Sequence, residues 1–118
     1  MAIQLETLRR PADFAALQQR GTSRAHPLLV VRTAGNGLDR TRYAFSTGRR
    51  LGGAVVRNRV RRRLREIVRS FAPRVERGWD VLIVARPGSA GASYAQLREV
   101  LARLFVRAGI LTGKEWSA

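Results

Sequence analysis

The chain has 118 residues, of which 23 are lysine or arginine and 8 are aspartate or glutamate, and its formal net charge at pH 7 is +15. This length predicts a single domain, 1–118, and a hydrophobic content of 45% is enough for a packed core. The absence of cysteine excludes disulfides, thiolate catalysis and cysteine-ligated zinc. So large a positive charge is typical of proteins that bind nucleic acid.

The N-terminal residues lack the long apolar run of a secretory signal, and no segment approaches the length of a membrane span. We therefore expect a soluble, cytoplasmic protein that has no membrane partner. We expect the two ends, 1–8 and 112–118, to be flexible.

The first half of the chain predicts one helix and three strands. A helix is favoured over 11–20, because Pro11 suits the first helical position and Asp13 places a negative charge in the first turn. Residues 22–25 are compatible with a short strand, 28–32 form an apolar, β-branched run, and 42–47 alternate in polarity. Because the residues between the last two runs have turn chemistry, we expect 28–32 and 42–47 to pair as an antiparallel hairpin.

The densest charge lies in Arg49–Phe71, where nine of the 23 residues are arginine. No glycine or proline interrupts the segment after Gly53, and its apolar residues recur at the helical spacing of three and four. These residues are Val56, Val60, Leu64, Ile67, Val68 and Phe71. The opposite side carries Asn58, Arg62, Arg65 and Arg69, flanked by Arg59 and Arg61. Like charges four residues apart destabilise a helix. A polyanion therefore explains this face better than a merely solvated surface does.

The second half predicts a strand and a final helix. Pro73 ends the arginine-rich helix, and the run 81–85 is apolar on both faces, which indicates a central strand. Ser93 and Gln96 have the spacing of a capping box that opens the last helix. The predicted order αβββαβα is that of an α/β (α+β) sandwich of one four-stranded sheet and packed helices.

The residues of hydrolytic chemistry are scattered. No two of the eight acids have the spacing of a catalytic pair or of a two-metal site. The only histidine is His26, just before Pro27. A lone histidine at the edge of a strand is more often a surface residue than a catalytic base. Gly52 and Gly53 precede a helix and are compatible with phosphate binding, although as a motif they are weak. The sequence therefore indicates an RNA binder that is not itself a hydrolase.

One stretch resembles a known signature. The segment RRLGGAVVRNRVRRRLRE, residues 49–66, is similar to the signature of the bacterial ribonuclease P protein subunit, with its basic pair, small-residue loop and Arg-Asn-Arg helix. Asp13-Phe14, Arg42–Ser46 and Ile83–Arg86 also look like the family, so the resemblance covers roughly residues 9–108.

The resemblance implies a fold like the second domain of ribosomal protein S5, with a left-handed βαβ crossover. It implies a subunit of an endonuclease in which an RNA holds the Mg²⁺ ions and removes the 5′ leader of precursor tRNA. The protein would contribute no catalytic residue and no metal site, and it would bind the ribonuclease P RNA and precursor tRNA without needing a protein partner.

Carried over residue by residue, the resemblance assigns two sets of contacts. The residues that would face the RNA subunit are Arg57, Asn58, Arg59, Arg61, Arg62, Arg65 and Arg69. Phe14 and Arg86 would line a leader cleft, with Arg49 and Arg50 near its end. A helical phenylalanine is more often core, but the resemblance implies an exposed ring that stacks on a base. Many members carry a second aromatic where this chain has Gln18, which implies weaker stacking here. Many also carry a serine where it has Gly48, and both departures imply leader contacts that differ in detail from those of the family.

Three alternatives belong to other classes. One is a structural RNA-binding protein of the ribosomal type. Composition does not distinguish it from a ribonuclease P protein, and only the Arg-Asn-Arg signature does. A protein that shapes duplex DNA would need dimer symmetry or an apolar wedge, and the sequence indicates neither. A cationic protein of the membrane surface would carry tryptophan on the apolar face of the long helix, where this chain has none.

Overall fold

The computed structural model describes residues 4–112 and contains three helices and four strands in the predicted order. The helices are α1 (Pro11–Arg20), α2 (Ala54–Phe71) and α3 (Tyr94–Arg107). The strands are β1 (Thr22–Ala25), β2 (Leu29–Gly35), β3 (Arg42–Thr47) and β4 (Trp79–Ala85). The predicted capping box is present, because Ser93 accepts from the Gln96 amide and the Gln96 side chain accepts from the Ser93 amide.

The four strands form one mixed sheet in the order β1-β2-β4-β3. The predicted hairpin between 28–32 and 42–47 is wrong, because β4 lies between β2 and β3 and pairs with both. The loop after β2 crosses the start of β4, where the Asn36 amide donates to the Gly78 carbonyl at 2.9 Å and the Gly78 amide donates to Arg40 at 3.3 Å. The strand that is apolar on both faces gains most from the central position, since only there are both of its faces covered.

The strands β3 and β4 run parallel, with Phe45 opposite Ile83 and Thr47 opposite Ala85. The chain passes from β3 to β4 through α2, so these three elements form a βαβ crossover. The left-handed sense of that crossover stays a prediction from the resemblance.

Each face of the sheet has its own apolar cluster. Along β4, Val81 and Ile83 belong to the larger cluster, formed with α2 and α3, whereas Leu82 packs with Leu17 of α1 on the other face. The Arg32 side chain fixes α1 to β2, because its Nε donates to the Leu17 carbonyl at 2.9 Å at the C-terminal end of that helix. Since α1 has only ten residues, it covers part of its face and leaves the rest of the sheet accessible.

The segment that precedes α1 lies along the edge of β3. The Tyr43 amide donates to the Glu6 carbonyl and the Leu8 amide donates to the Tyr43 carbonyl, both at 2.8 Å, and Leu8 is buried. The ordered domain therefore begins before Pro11. Of the two ends that we expect to be flexible, 1–3 and 113–118 lie outside the described residues.

An ion-pair network joins α1, β3 and β4. Arg42 Nε and Nη2 donate to the two carboxylate oxygens of Asp80 at 2.8 Å each, and Nη1 donates to Asp13 at 3.2 Å. The side-chain amide of Asn36 is a third donor to the Asp80 carboxylate, at 3.0 Å. The hydrogen bond with Asp80 is the main reason that the pKa of Arg42 is raised. The side chains of Arg42 and Asp80 are only 17% and 9% exposed, so water cannot replace a lost partner.

We predict that Arg42→Met lowers the free energy of unfolding by about 3 kcal/mol, because it leaves the Asp80 carboxylate buried without its cation. Chemical denaturation at neutral pH measures this change. The matched control is Arg103→Met, which removes an exposed pair with Glu99 on α3 and should cost about 0.5 kcal/mol or less. Equal, small losses in the two variants would show that the Arg42 network contributes no more than a surface pair.

Candidate nucleic-acid interface

The helix α2 divides into an apolar stripe and a cationic face. Val60, Leu64, Ile67, Val68 and Phe71 are buried, as the spacing predicts, and Val56 is half-buried. The residues predicted on the opposite side, Asn58, Arg62, Arg65 and Arg69, are all exposed. We call this exposed side of α2 the arginine face.

No arginine of the segment 49–69 forms an ion pair with a described residue. Arg40, Arg42 and Arg103, which form ion pairs with described acids, all lie outside α2. Glu66, the only acid on α2, is exposed and belongs to none of these ion pairs. The positive charge of the arginine face is therefore not neutralised by any acid of the described residues.

Neutral acceptors hold the arginines at the borders of the face. Arg61 donates to the Thr47 hydroxyl at 2.6 Å and to the Asn58 side chain at 3.0 Å. On the other border, Arg59 and Arg63 donate to the carbonyls of Ala90 and Ala92, at 3.4 and 3.2 Å. These bonds orient the guanidinium groups without neutralising their charge. Sequence reasoning missed Arg63, whose border position depends on the distant turn at 87–91.

Arg57 differs from the exposed set. It is half-buried, and its Nε lies out of contact with water and has no acceptor among the described residues. A buried donor without a partner costs free energy, so a conformation in which the Arg57 Nε–H meets an acceptor would be more stable.

A tight turn, Arg49–Leu51, positions the basic pair in front of α2. Leu51 is buried and anchors the turn, while Arg49 and Arg50 are exposed. Gly52 then takes φ 138° and ψ −162°, a backbone conformation that is essentially restricted to glycine. A Cβ at this position would lie 3.2 Å from the Cβ of Val56.

Part of the sheet beside α1 stays accessible, and it is bordered by Phe14. Phe14 is half-buried and packs against the cluster of Leu8, Leu17, Ala44 and Leu82, so its ring is neither a core residue nor fully free. Arg86 follows β4 and is exposed. Because Thr47 is paired with Ala85, the ends of β3 and β4 lie side by side. The structure thus brings Arg86 to the same end of the sheet as Arg49 and Arg50. We call this surface the leader groove, after the cleft that the resemblance predicts at this place.

His26 has a structural role in the turn between β1 and β2. Its Nδ1 accepts a hydrogen bond from the Leu28 amide at 3.0 Å, and its carbonyl accepts one from Arg86 at 3.3 Å. Within residues 4–112, no three histidine or acidic side chains are grouped so that they would hold a metal ion. In the same range, no helix combines the length and the apolar character that crossing a bilayer requires.

Comparison with known proteins identifies the family. A family model described as Ribonuclease P matches residues 4–109. The chain belongs to the ribonuclease P protein family. A ribonuclease P protein component of Roseiflexus castenholzii is 39% identical over 107 residues, 90% of this chain and 88% of the relative. One of Chloroflexus aggregans is 42% identical over 109 residues, 92% of this chain and 81% of the relative.

Solved structures of the family have the same fold. The Staphylococcus aureus RNase P protein superimposes with a TM-score of 0.84 at 25% identity, over 92% of this chain and 100% of that one. The Thermotoga maritima RNase P protein superimposes with a TM-score of 0.78 at 29% identity, over 86% of this chain and 96% of that one. The chain is thus a protein component of a tRNA-processing ribonuclease, which decides against the ribosomal-protein alternative.

We predict that Gly52→Ala destabilises the protein by about 1–3 kcal/mol, because alanine is strained at this φ and meets Val56. The same substitution at Gly48 is the control, since Gly48 has φ −76° and nothing within 4 Å of an added Cβ. Gly48→Ala should leave stability unchanged or raise it slightly. Thermal melts of the two variants measure the difference, and similar melting temperatures would contradict the role given to Gly52.

Proposed function

We propose that the protein binds the RNA subunit of ribonuclease P through the arginine face, and the 5′ leader of precursor tRNA in the leader groove. The RNA subunit, with its Mg²⁺ ions, performs the cleavage. The observation that carries the proposal is the separation of charge, since the segment 49–69 holds nine arginines and none of them is paired with an acid of the described residues. We also propose that the enzyme acts in the cytoplasm and that its substrate is precursor tRNA.

Guanidinium groups suit this role because each offers two parallel hydrogen bonds to a phosphate. Arg62, Arg65 and Arg69 project from successive turns of a rigid helix, so their spacing is fixed before RNA arrives. Asn58 lies on the same face and can both donate and accept, which suits a base edge or a 2′-hydroxyl. The arrangement supports binding of a folded RNA by its backbone, with one polar contact to a nucleoside.

The leader groove suits a single strand. Bases that are not paired stack on aromatic rings, and Phe14 offers one half-buried ring on α1. Arg49, Arg50 and Arg86 lie at one end of the sheet, where they can contact the phosphates of the same strand. Gln18 is exposed one turn further along α1, so the groove has a single aromatic side chain on that helix.

Most acids with a described contact are engaged by arginines far from α2. Asp13 and Asp80 bind Arg42, Glu6 binds Arg40, and Glu99 binds Arg103. Such carboxylates already have cationic partners, which agrees with the proposal that the RNA holds the metal ions. Reconstitution with a bacterial ribonuclease P RNA, assayed on precursor tRNA in low magnesium, tests the function as a whole.

We predict that Arg62→Ala weakens binding to the RNA subunit and lowers the slope of log affinity against log salt concentration by about 0.7–0.9, the loss of one phosphate contact. The fold should be unaffected, because Arg62 is exposed and forms no hydrogen bond or ion pair with described residues. Filter binding over a series of salt concentrations measures both quantities.

Arg103→Ala is the matched control for charge, since it removes one exposed arginine from α3. It should leave the salt slope of RNA binding unchanged. Equal slopes for the wild type and Arg62→Ala would contradict the assignment of the arginine face.

We predict that Phe14→Ala weakens binding of precursor tRNA about 5- to 150-fold in the reconstituted enzyme, the range that corresponds to one lost base stack. Mature tRNA, which has no leader, should bind as before. Because the ring is only half-buried, truncation should cost about 2 kcal/mol of stability, less than a core phenylalanine would.

Gln18→Ala, on the same helix and exposed, is the control and should change neither binding curve. Equal losses for precursor and mature tRNA in the Phe14 variant, together with a large fall in melting temperature, would mean that Phe14 serves packing alone.

A further inference from the structure

A second groove lies on the other side of the sheet, between the segment that precedes α1 and the later turns of α2. We call it the edge groove; it is lined by Gln4, Leu5, Thr7, Phe45, Arg65 and Arg69. None of these residues is acidic, so the two arginines set its charge. Its volume is about 150 Å³, smaller than the roughly 300–1,000 Å³ of pockets that enclose drug-sized ligands. The groove therefore has room for one flat group that enters from solvent.

Arg65 and Phe45 are in contact within the edge groove. The Cζ atom of Arg65 lies 5.7 Å from the centroid of the Phe45 ring, within the range of a cation–π contact. Arg65 makes no hydrogen bond or ion pair with a described residue, so its N–H groups and its outer surface are free. Nucleobases stack on guanidinium planes, and a contact with an aromatic ring restricts the positions that the Arg65 guanidinium can take before binding.

The backbone of β3 adds hydrogen-bonding groups at the same place. The N–H and C=O of Tyr43 point away from β4, because the N–H donates to the Glu6 carbonyl and the C=O accepts from the Leu8 amide. Through the two-residue period of a strand, the N–H and C=O of Phe45 point to the same edge. There they have no partner among residues 4–112. The edge groove thus combines a stacking plane, a cation and a free donor–acceptor pair.

We propose that the edge groove binds one unpaired nucleotide of RNA, whose base stacks on Arg65 and whose phosphate contacts Arg69. Phe45 acts as the positioning residue for Arg65. The site is continuous with the arginine face and lies on the opposite side of the sheet from Phe14. This proposal rests on the proposed function, because the nucleotide would belong to the RNA that binds the arginine face of α2.

Nuclear magnetic resonance titration of the full chain tests the site with two probes, adenosine 5′-monophosphate and ribose 5-phosphate. These carry the same phosphate, and only the first carries a base. We expect the first to shift the Phe45 ring and Arg65 Nε–H resonances, and the second to leave the ring unshifted. The Phe14 ring reports the leader groove separately. Equal shifts of the Phe45 ring with both probes, or none with either, would overturn the proposal.

Charge-preserving variants separate stacking from simple attraction. Arg65→Lys keeps the charge and removes the plane, so the affinity for adenosine 5′-monophosphate measured at the Phe45 ring should fall at least about fivefold. Arg103→Lys on α3, outside the arginine face and the edge groove, is the control and should leave that affinity unchanged. Phe45→Leu keeps an apolar side chain and should weaken binding by a similar factor, measured at the Arg65 Nε–H resonance. Unchanged affinity in both the Arg65 and the Phe45 variants overturns the nucleotide site.

Failure of this site is distinguishable from failure of the proposed function. If the edge groove binds no nucleotide while Arg62→Ala still lowers the salt slope for the RNA subunit, only the nucleotide site is rejected. If Arg62→Ala has no effect and the nucleotide probes still separate, the site persists and the assignment of the arginine face is rejected.

Discussion

The packing of the α2 apolar stripe on the sheet is the interaction on which the remaining features depend. Five side chains of this helix are buried, and each contributes about 1.5–3 kcal/mol of gross stabilisation, so the stripe supplies on the order of 10 kcal/mol. The four arginine pairs that are four residues apart, such as Arg57 with Arg61, oppose helix formation by about 0.2–0.5 kcal/mol each. Burial therefore exceeds repulsion several-fold, and the helix keeps a charge density that would be unfavourable in isolation.

The second constraint is where the acids lie. Asp13 and Asp80 converge on Arg42, which fixes α1 against the starts of β3 and β4, while α2 receives no acidic partner from the described residues. The network that orders the sheet thus uses two acids of α1 and β4, and neither of them pairs with an arginine of α2. It also fixes α1, which carries Phe14, so the order of the sheet and the position of the leader groove have one physical origin.

Much of the fold could be predicted because it depends on local patterns. The bounds of α1 and β3, the end of α2 near Pro73 and the capping box at Ser93 follow from periodicity, caps and breakers. The pairing of β2 with β3 could not be predicted, since a turn sequence shows that the chain reverses but does not show whether another strand enters between. The free energy that decides this point is the burial of both faces of β4. Asp80 of that strand lies 44 residues after Asn36, the residue that follows β2.

The sequence by itself determined the family, the helix that carries the charge and the side of that helix that faces outward. These depend on residue types and on spacings of three and four along one element. Only the tertiary structure decided which arginines are free. Arg61 and Arg63 are oriented by neutral groups on β3 and on the turn before α3, and Arg65 lies on the ring of Phe45, twenty positions earlier. Such contacts join residues far apart in sequence, and they form only when the sheet and α2 have packed together.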